Sequence, residues 1–304
     1  MSTSAATASP RRLAWRRFLR HRLAEASLLF LAALLALSLA APLIARLRGI
    51  DPSLVDLYRR MEGPSAAHWL GTDDLGRDLF QRLLDGGRIS LLVGLSGAIL
   101  SAILGAIIGV MSGYLGGRLD RVLMRLTDGV IALPLLPLLI ILAAIDPAKL
   151  GISTNVAQSE AFSIYRIVVI VALTGWTTVA RLVRAETLSL KARDFTRAAQ
   201  ALGARPLRIM FRHILPNAAG PLVVSTTLSI GALILFESTL SFLGLGIQPP
   251  AASWGNMLTG AQELLREAPM LAVWPGLLIF LTVIAFNFLG DGLQDAIDPR
   301  AERR

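Results

Sequence analysis

Cysteine is absent from the 304 residues, which excludes a disulfide framework, a thiol nucleophile and a thiolate metal site. Lysine stands only at 149 and 191. Neither follows a glycine-rich loop, so the chain has no P-loop to hold ATP. The three histidines, His21, His68 and His213, lie far apart with no HExxH spacing, and no G-x-S-x-G elbow occurs. Catalytic residues and metal ligands are therefore both expected to be none. Charge is scarce too: 17% of residues are charged, against about 25% in a soluble domain. The mean hydropathy is +0.61. The net charge of +9 raises the question of nucleic acid. Few aromatics interleave with the basic residues, and apolar runs separate the basic clusters. Membrane topology accounts for that pattern, and no nucleic-acid partner is expected.

What the chain has is long uncharged runs. A helix crossing the hydrocarbon core needs about 20 mostly apolar residues. Runs free of Asp, Glu, Lys and Arg cover 26–45, 89–117, 129–145, 214–236 and 268–290, and 161–180 is interrupted only by Arg166. Arg166 is expected to snorkel to an interface. The expectation is an all-α bundle of six transmembrane helices with both termini on one side. The first run is too long for a signal-peptide core of about 7–15 residues and reads as an uncleaved anchor. Orientation follows Lys and Arg. With the N-terminus inside, 20 of the 30 basic residues fall on the cytoplasmic side. The expected divisions are a basic cytoplasmic N-terminus at 1–23, a first transmembrane helix at 24–45, an extracytoplasmic segment at 46–88, a five-helix core at 89–293 with a cytoplasmic loop at 181–216, and a cytoplasmic tail at 294–304.

The loop at 181–216 is the most informative stretch. The residues from Phe195 to Leu202 favour helix, Gly203 stands where a helix ends at positive φ, and Pro206 where the next begins. Pro216 is expected to open the fifth span. Ala198-Ala199, three residues, Gly203, eleven residues and Leu215-Pro216 follow in order. This arrangement resembles the loop signature of permeases of bacterial ATP-binding-cassette importers, Glu-Ala-Ala, three residues, Gly, then about eleven residues to Leu-Pro. Arg197 replaces the family's Glu, and His213 stands where the pattern prefers Ile. The resemblance implies a short coupling helix that docks in a groove on an ATPase, with Phe195, Arg197, Ala198, Ala199, Gly203, Leu215 and Pro216 as coupling residues. Two alanines and a glycine permit close backbone approach, and the flanking arginines suit acids on a partner.

A second stretch narrows the resemblance. His68-Trp69-Leu70-Gly71-Thr72-Asp73-Asp74-Leu75-Gly76-Arg77-Asp78 is similar to the external motif of the second permease of dipeptide, oligopeptide and nickel systems, and the segment from Glu237 to Gly246 is similar as well. The implied function is a permease subunit that forms, with a sister permease, a pathway for di- and oligopeptides. The implied partners are that sister permease, two cytoplasmic ATPase subunits that bind the ATP, and an extracytoplasmic substrate-binding protein. The implied place is the bacterial inner membrane, with no cofactor in this chain. Nickel or another small solute is the alternative cargo. A proton-coupled secondary transporter is the rival class, but the span centres lack the ionisable residues it needs.

Asp73, Gly76, Arg77, Asp78 and Glu237 are the residues for an external motif or gate. Asp73, Asp74 and Asp78 lack EF-hand spacing. Thr72 and Asp73 are expected to cap a turn, ahead of a helix lying on the outer surface with Leu79, Phe80, Leu83 and Leu84 as its apolar face. Glu237 is 20 residues past Asn217, roughly 30 Å along a helix, which predicts the outer interface. Asp120 and Asp128 are expected to pair with Arg121 and Arg125.

Overall fold

The computed structural model describes residues 17–19, 21–157, 159–259, 261 and 263–297. The basic stretch at 1–16, Arg20 and the tail from 298 lie outside the described residues. Among those described, the chain is helical, and an isolated bridge between Thr72 and Asp78 is its sole β pairing. The principal helices are α1 (Arg22–Leu39), α2 (Ala41–Arg48), α3 (Leu79–Leu115), α4 (Gly117–Ala132), α5 (Leu135–Ala144), α6 (Glu160–Lys191), α7 (Asp194–Ala201), α8 (Ala219–Phe242), α9 (Trp254–Met257) and α10 (Met270–Ile297). Five of them, α1, α3, α6, α8 and α10, are long and apolar enough to cross a membrane, and a sixth crossing results if α4 and α5 form one bent span.

Three expectations are corrected. The run at 129–145 is not a straight helix, because α4 and α5 meet at 91°. Pro134 lacks an N–H and holds Leu133 extended (φ −77°, ψ 138°), so the helix ends there. The helix predicted to lie on the outer surface at Leu79 is instead the start of α3. Asp78 caps it, accepting from the Gln81 N–H at 2.7 Å, and Leu79, Leu83 and Leu84 are buried. At 37 residues, α3 is about 55 Å long. Finally, Pro216 does not open the fifth span. A π-helical turn over Ile209–Ile214 intervenes, and α8 begins at Ala219.

The bundle is organised around α3, which lies along α6 and also meets α8, while α10 packs on α8 and α1. Its packing against α6 depends on a stripe of small residues. A Cβ at Gly105 would stand 2.7 Å from the Trp176 carbonyl oxygen, one at Gly109 2.6 Å from that of Ala180, and one at Gly113 2.7 Å from the Thr187 Cβ. Glycine at every fourth position lets two helix backbones approach where lipid supplies no hydrophobic drive. Nearer the start of α3, Leu91, Val93 and Ala98 join Ile167, Val171, Ile234, Leu240 and Trp254 in the main apolar core.

Candidate functional site

The loop between α6 and α8 is built in two layers. Its inner layer is anchored. Thr196 is buried and donates to the Leu190 carbonyl at 2.8 Å. Gln200 Nε2 donates to Tyr114 Oη at 3.3 Å. Ile209, Met210 and Ile214 on the π turn are buried against Val110, Tyr114, Val179 and Val183, with Ala199, Ala204 and Leu215 packed beside them. A secondary cluster at the ends of α3 and α6 thus fixes the loop's orientation.

The helix α7 ends as the sequence predicts. Gly203 has φ +77°. Its N–H donates to the Gln200 carbonyl at 2.9 Å, and the Ala204 N–H donates to the Ala199 carbonyl at 3.0 Å. That pair of bonds is a Schellman cap with glycine in its left-handed position. Pro206 then starts the next helical turn, where a missing N–H costs nothing.

The outer layer is uncovered. Leu202 is 87% exposed and Leu207 66%, and Phe195 and Phe211 are also exposed. Arg197, Arg205, Arg208 and Arg212 surround them, all exposed. Arg197 has no ion-pair partner among the described residues. Ala198 is exposed, Ala199 half-buried, and Pro216 exposed in the turn before α8. The predicted coupling residues therefore lie on one loop, with Ala199 and Leu215 packed inward and the others exposed. Apolar knuckles ringed by arginine on a helix tip match an interaction surface.

The external residues lie at the other end of α3, remote from this loop. Asp73 Oδ1 accepts from the Leu75 and Arg77 N–H groups, both at 2.9 Å, and its Oδ2 pairs with Arg77 at 2.8 Å and Arg82 at 3.2 Å. Asp78 Oδ2 meets Arg48 at 3.1 Å and His68 at 3.0 Å. Arg48 also stacks on Trp69, 4.3 Å from its ring centre. At Gly76 any Cβ would lie 1.8 Å from the Asp56 carbonyl oxygen. Thr72 donates to the Arg59 carbonyl and accepts from the Glu62 N–H. These carboxylates are spent on binding the segment before α3 to α2 and to α3 itself. No group of three potential metal ligands occurs among the described residues.

Glu237, predicted at the outer interface, is fully enclosed. Ser241 Oγ donates to its Oε1 at 2.7 Å, and Ser90 Oγ to its Oε2 at 3.0 Å. The same serines accept from the segment after α8: Ser90 from the Trp254 N–H at 3.2 Å, Ser241 from the Ile247 N–H at 3.1 Å. One carboxylate thereby joins α3, α8 and the approach to α9. Asp120 and Asp128 pair with Arg184 and Arg181 of α6, not with Arg121 and Arg125, so they bind α4 to α6.

Sequence reasoning missed Ser90, Tyr114, Lys191, Trp254 and the glycine stripe. Only the stripe left a readable signal, the Gly-x-x-x-Gly repeat at Gly105, Gly109 and Gly113.

Comparison with known proteins shows the family. The family described as binding-protein-dependent transport system inner membrane component matches residues 105–303, and the N-terminal transmembrane domain of oligopeptide transport permease C matches 9–62. The glutathione transport system permease GsiD of Pectobacterium atrosepticum is 42% identical over 96% of this chain and 92% of its own. The oligopeptide transport permease OppC of Bacillus subtilis is 37% identical over 94% and 88%. A peptide permease of Brucella suis is 42% identical over 94% and 90%. The chain belongs to the binding-protein-dependent transport system inner membrane components and is a multi-pass permease subunit of an ATP-binding-cassette importer.

Proposed function

We propose that this chain pairs with a sister permease to form the pathway by which di- and oligopeptides, delivered by an extracytoplasmic binding protein, enter the cell. ATP is bound and hydrolysed on two separate cytoplasmic ATPase subunits, the chain itself needing no cofactor. Both termini and the α7 loop face the cytoplasm. The observation that carries the reading is α7: a capped helix, held rigidly from beneath by Thr196 and Gln200, whose apolar and basic outer face is uncovered. Such a face suits a groove with acidic edges on an ATPase, and Arg197 in place of the family's Glu adds one more positive group to it. Peptide cargo is favoured over nickel because the similar permeases carry peptide and glutathione names.

The test is Leu202→Asp. Leu202 is 87% exposed, so its replacement leaves the bundle intact. Trialanine uptake and co-purification of the ATPase subunits are expected to fall together, at unchanged membrane amount. Normal uptake in this variant would overturn the assignment of α7.

A further inference from the structure

Arg166 is the one charged residue of α6 between Glu160 and Arg181. Its Nη2 donates to the Leu245 carbonyl at 3.3 Å. Its Nε is buried with no hydrogen-bond partner. No carboxylate lies within ion-pair distance of it among the described residues. A partly buried cation with an idle donor is costly unless something outside the chain compensates it.

Arg166 lines a cleft of about 490 Å³, bounded by the end of α5, the residues after it, and Gly244 to Gln248. That volume is in the range of small-ligand sites. Most polar neighbours are already engaged. Ser163 donates to the Glu160 carbonyl at 2.9 Å, and Gln248 Nε2 donates to Gly244 and Gly246 carbonyls. Asp146, also on the wall, commits its Oδ1 to the Ala148 N–H at 2.9 Å. The donors left on the cleft wall are the Thr154 hydroxyl and the guanidinium, and the guanidinium alone carries charge, its planar fork matching a carboxylate. Ala143, Ile145 and Leu245 make much of the rest apolar, which suits a singly charged group on a small organic body better than a multiply charged phosphate. Asp146 supplies the opposite charge, as a zwitterion requires. Arg166 stands near the start of α6, and α7 follows the other end, so the cleft is on the side from which cargo arrives.

We propose that Arg166 binds the C-terminal carboxylate of the incoming peptide, making this cleft a recognition site in the permease itself. The assignment rests on the peptide reading above.

The absence of cysteine allows a charge-replacement test in the whole transporter. Arg166→Cys is expected to lower trialanine uptake by cells about thirtyfold or more, the scale of losing one partner of a desolvated charge pair, with the subunit still present by immunoblot. Trimethylammonium-ethyl methanethiosulfonate should restore most of the uptake, and the sulfonatoethyl reagent should not, with treated wild-type cells as reference. The trimethylammonium group has no N–H, so it cannot replace the bond to Leu245, and recovery reads charge alone. Wild-type uptake by Arg166→Cys, or the same response to both reagents, overturns the site. If Arg166→Cys is missing from the membrane, Arg166→Lys against Arg166→Gln decides: a lower trialanine KM for Lys supports the site and equal values overturn it. Absence of trialanine uptake by the wild-type transporter would defeat the peptide reading and this site with it. Wild-type uptake that is indifferent to charge at 166 would defeat the site alone.

Discussion

Lys191 and Tyr114 meet where α6 and α3 end side by side. The Lys191 ammonium donates to the Tyr114 carbonyl at 2.6 Å and lies 5.3 Å from the centre of its ring. Because Tyr114 Oη also accepts from Gln200 on α7, one tyrosine ties the exposed helix to the ends of both long helices. Replacing Lys191 with Met removes a charge-assisted bond worth about 1.5–3 kcal/mol. Uptake is expected to fall severalfold while the subunit stays in the membrane, as measured by transport normalised to immunoblot. Unchanged uptake would show that α7 is oriented without this bond.

Gly203 separates strain from space. Nothing lies within 4 Å of a Cβ placed there, yet φ is +77°. A β-branched residue at that φ costs about 1–3 kcal/mol, whereas Asn tolerates the left-handed region. Gly203→Val should lose most uptake and weaken ATPase co-purification, and Gly203→Asn should keep both near wild type. Equal behaviour of the two variants would remove the conformational explanation.

Gly109 is the reverse case, ordinary in backbone but crowded, with Cβ positions 2.6 Å from the Ala180 oxygen and 2.8 Å from the Val183 Cβ. Gly109→Val forces α3 away from α6, an overpacking cost of about 1–3 kcal/mol or more. The membrane content of the subunit should drop, with a lowered melting midpoint in detergent. Gly129, which has no neighbour within 4 Å of its Cβ position, is the control, and Gly129→Ala should be stable.

Glu237 is predicted to act through its acceptors rather than its charge. Glu237→Leu leaves the Ser90 and Ser241 hydroxyls without their partner, at about 1–3 kcal/mol for a group left unsatisfied. Glu237→Gln retains an acceptor oxygen. Thermal stability in detergent should fall more for Leu than for Gln. An equal loss in both would point to the charge instead.

The proposed orientation is open to direct labelling, since the chain has no cysteine. Ala66 and Ala201 are both exposed. In intact cells a membrane-impermeant thiol reagent should label Ala66→Cys and spare Ala201→Cys until the membrane is opened. Labelling of both in sealed cells would overturn the arrangement.

Much of this was legible in the residue order. Gly203 and Pro206 announced the cap and restart of the loop because both act through local backbone chemistry, which the sequence displays directly. Asp73 was likewise legible as a turn cap, and the structure adds Arg77 and Arg82 to it. The break at Pro134 was visible as a residue but hidden by method: an uncharged run reports hydropathy, and α5 is as apolar as a span while being half as long. The partners of Glu237 were not legible, for a geometric reason. Counting residues gives height along a helix axis, not direction around it, and direction alone puts the carboxylate against Ser90 rather than at the surface. Asp120 and Arg184 pair across 64 positions of sequence, a distance that local spacing cannot bridge.

The glycine contacts between α3 and α6 also have a mechanical meaning. Backbones this close, interlocked at Gly105, Gly109 and Gly113, collide when one slides past the other, so a tilt imposed on one end is passed along the pair. From Lys191 to Arg166 is 25 residues, about 38 Å at 1.5 Å each. A tilt of roughly 5° imposed at the α7 end therefore displaces the Arg166 cleft by about 3 Å, given that helical length. That is the length of a hydrogen bond, enough to release a carboxylate bound as proposed at Arg166.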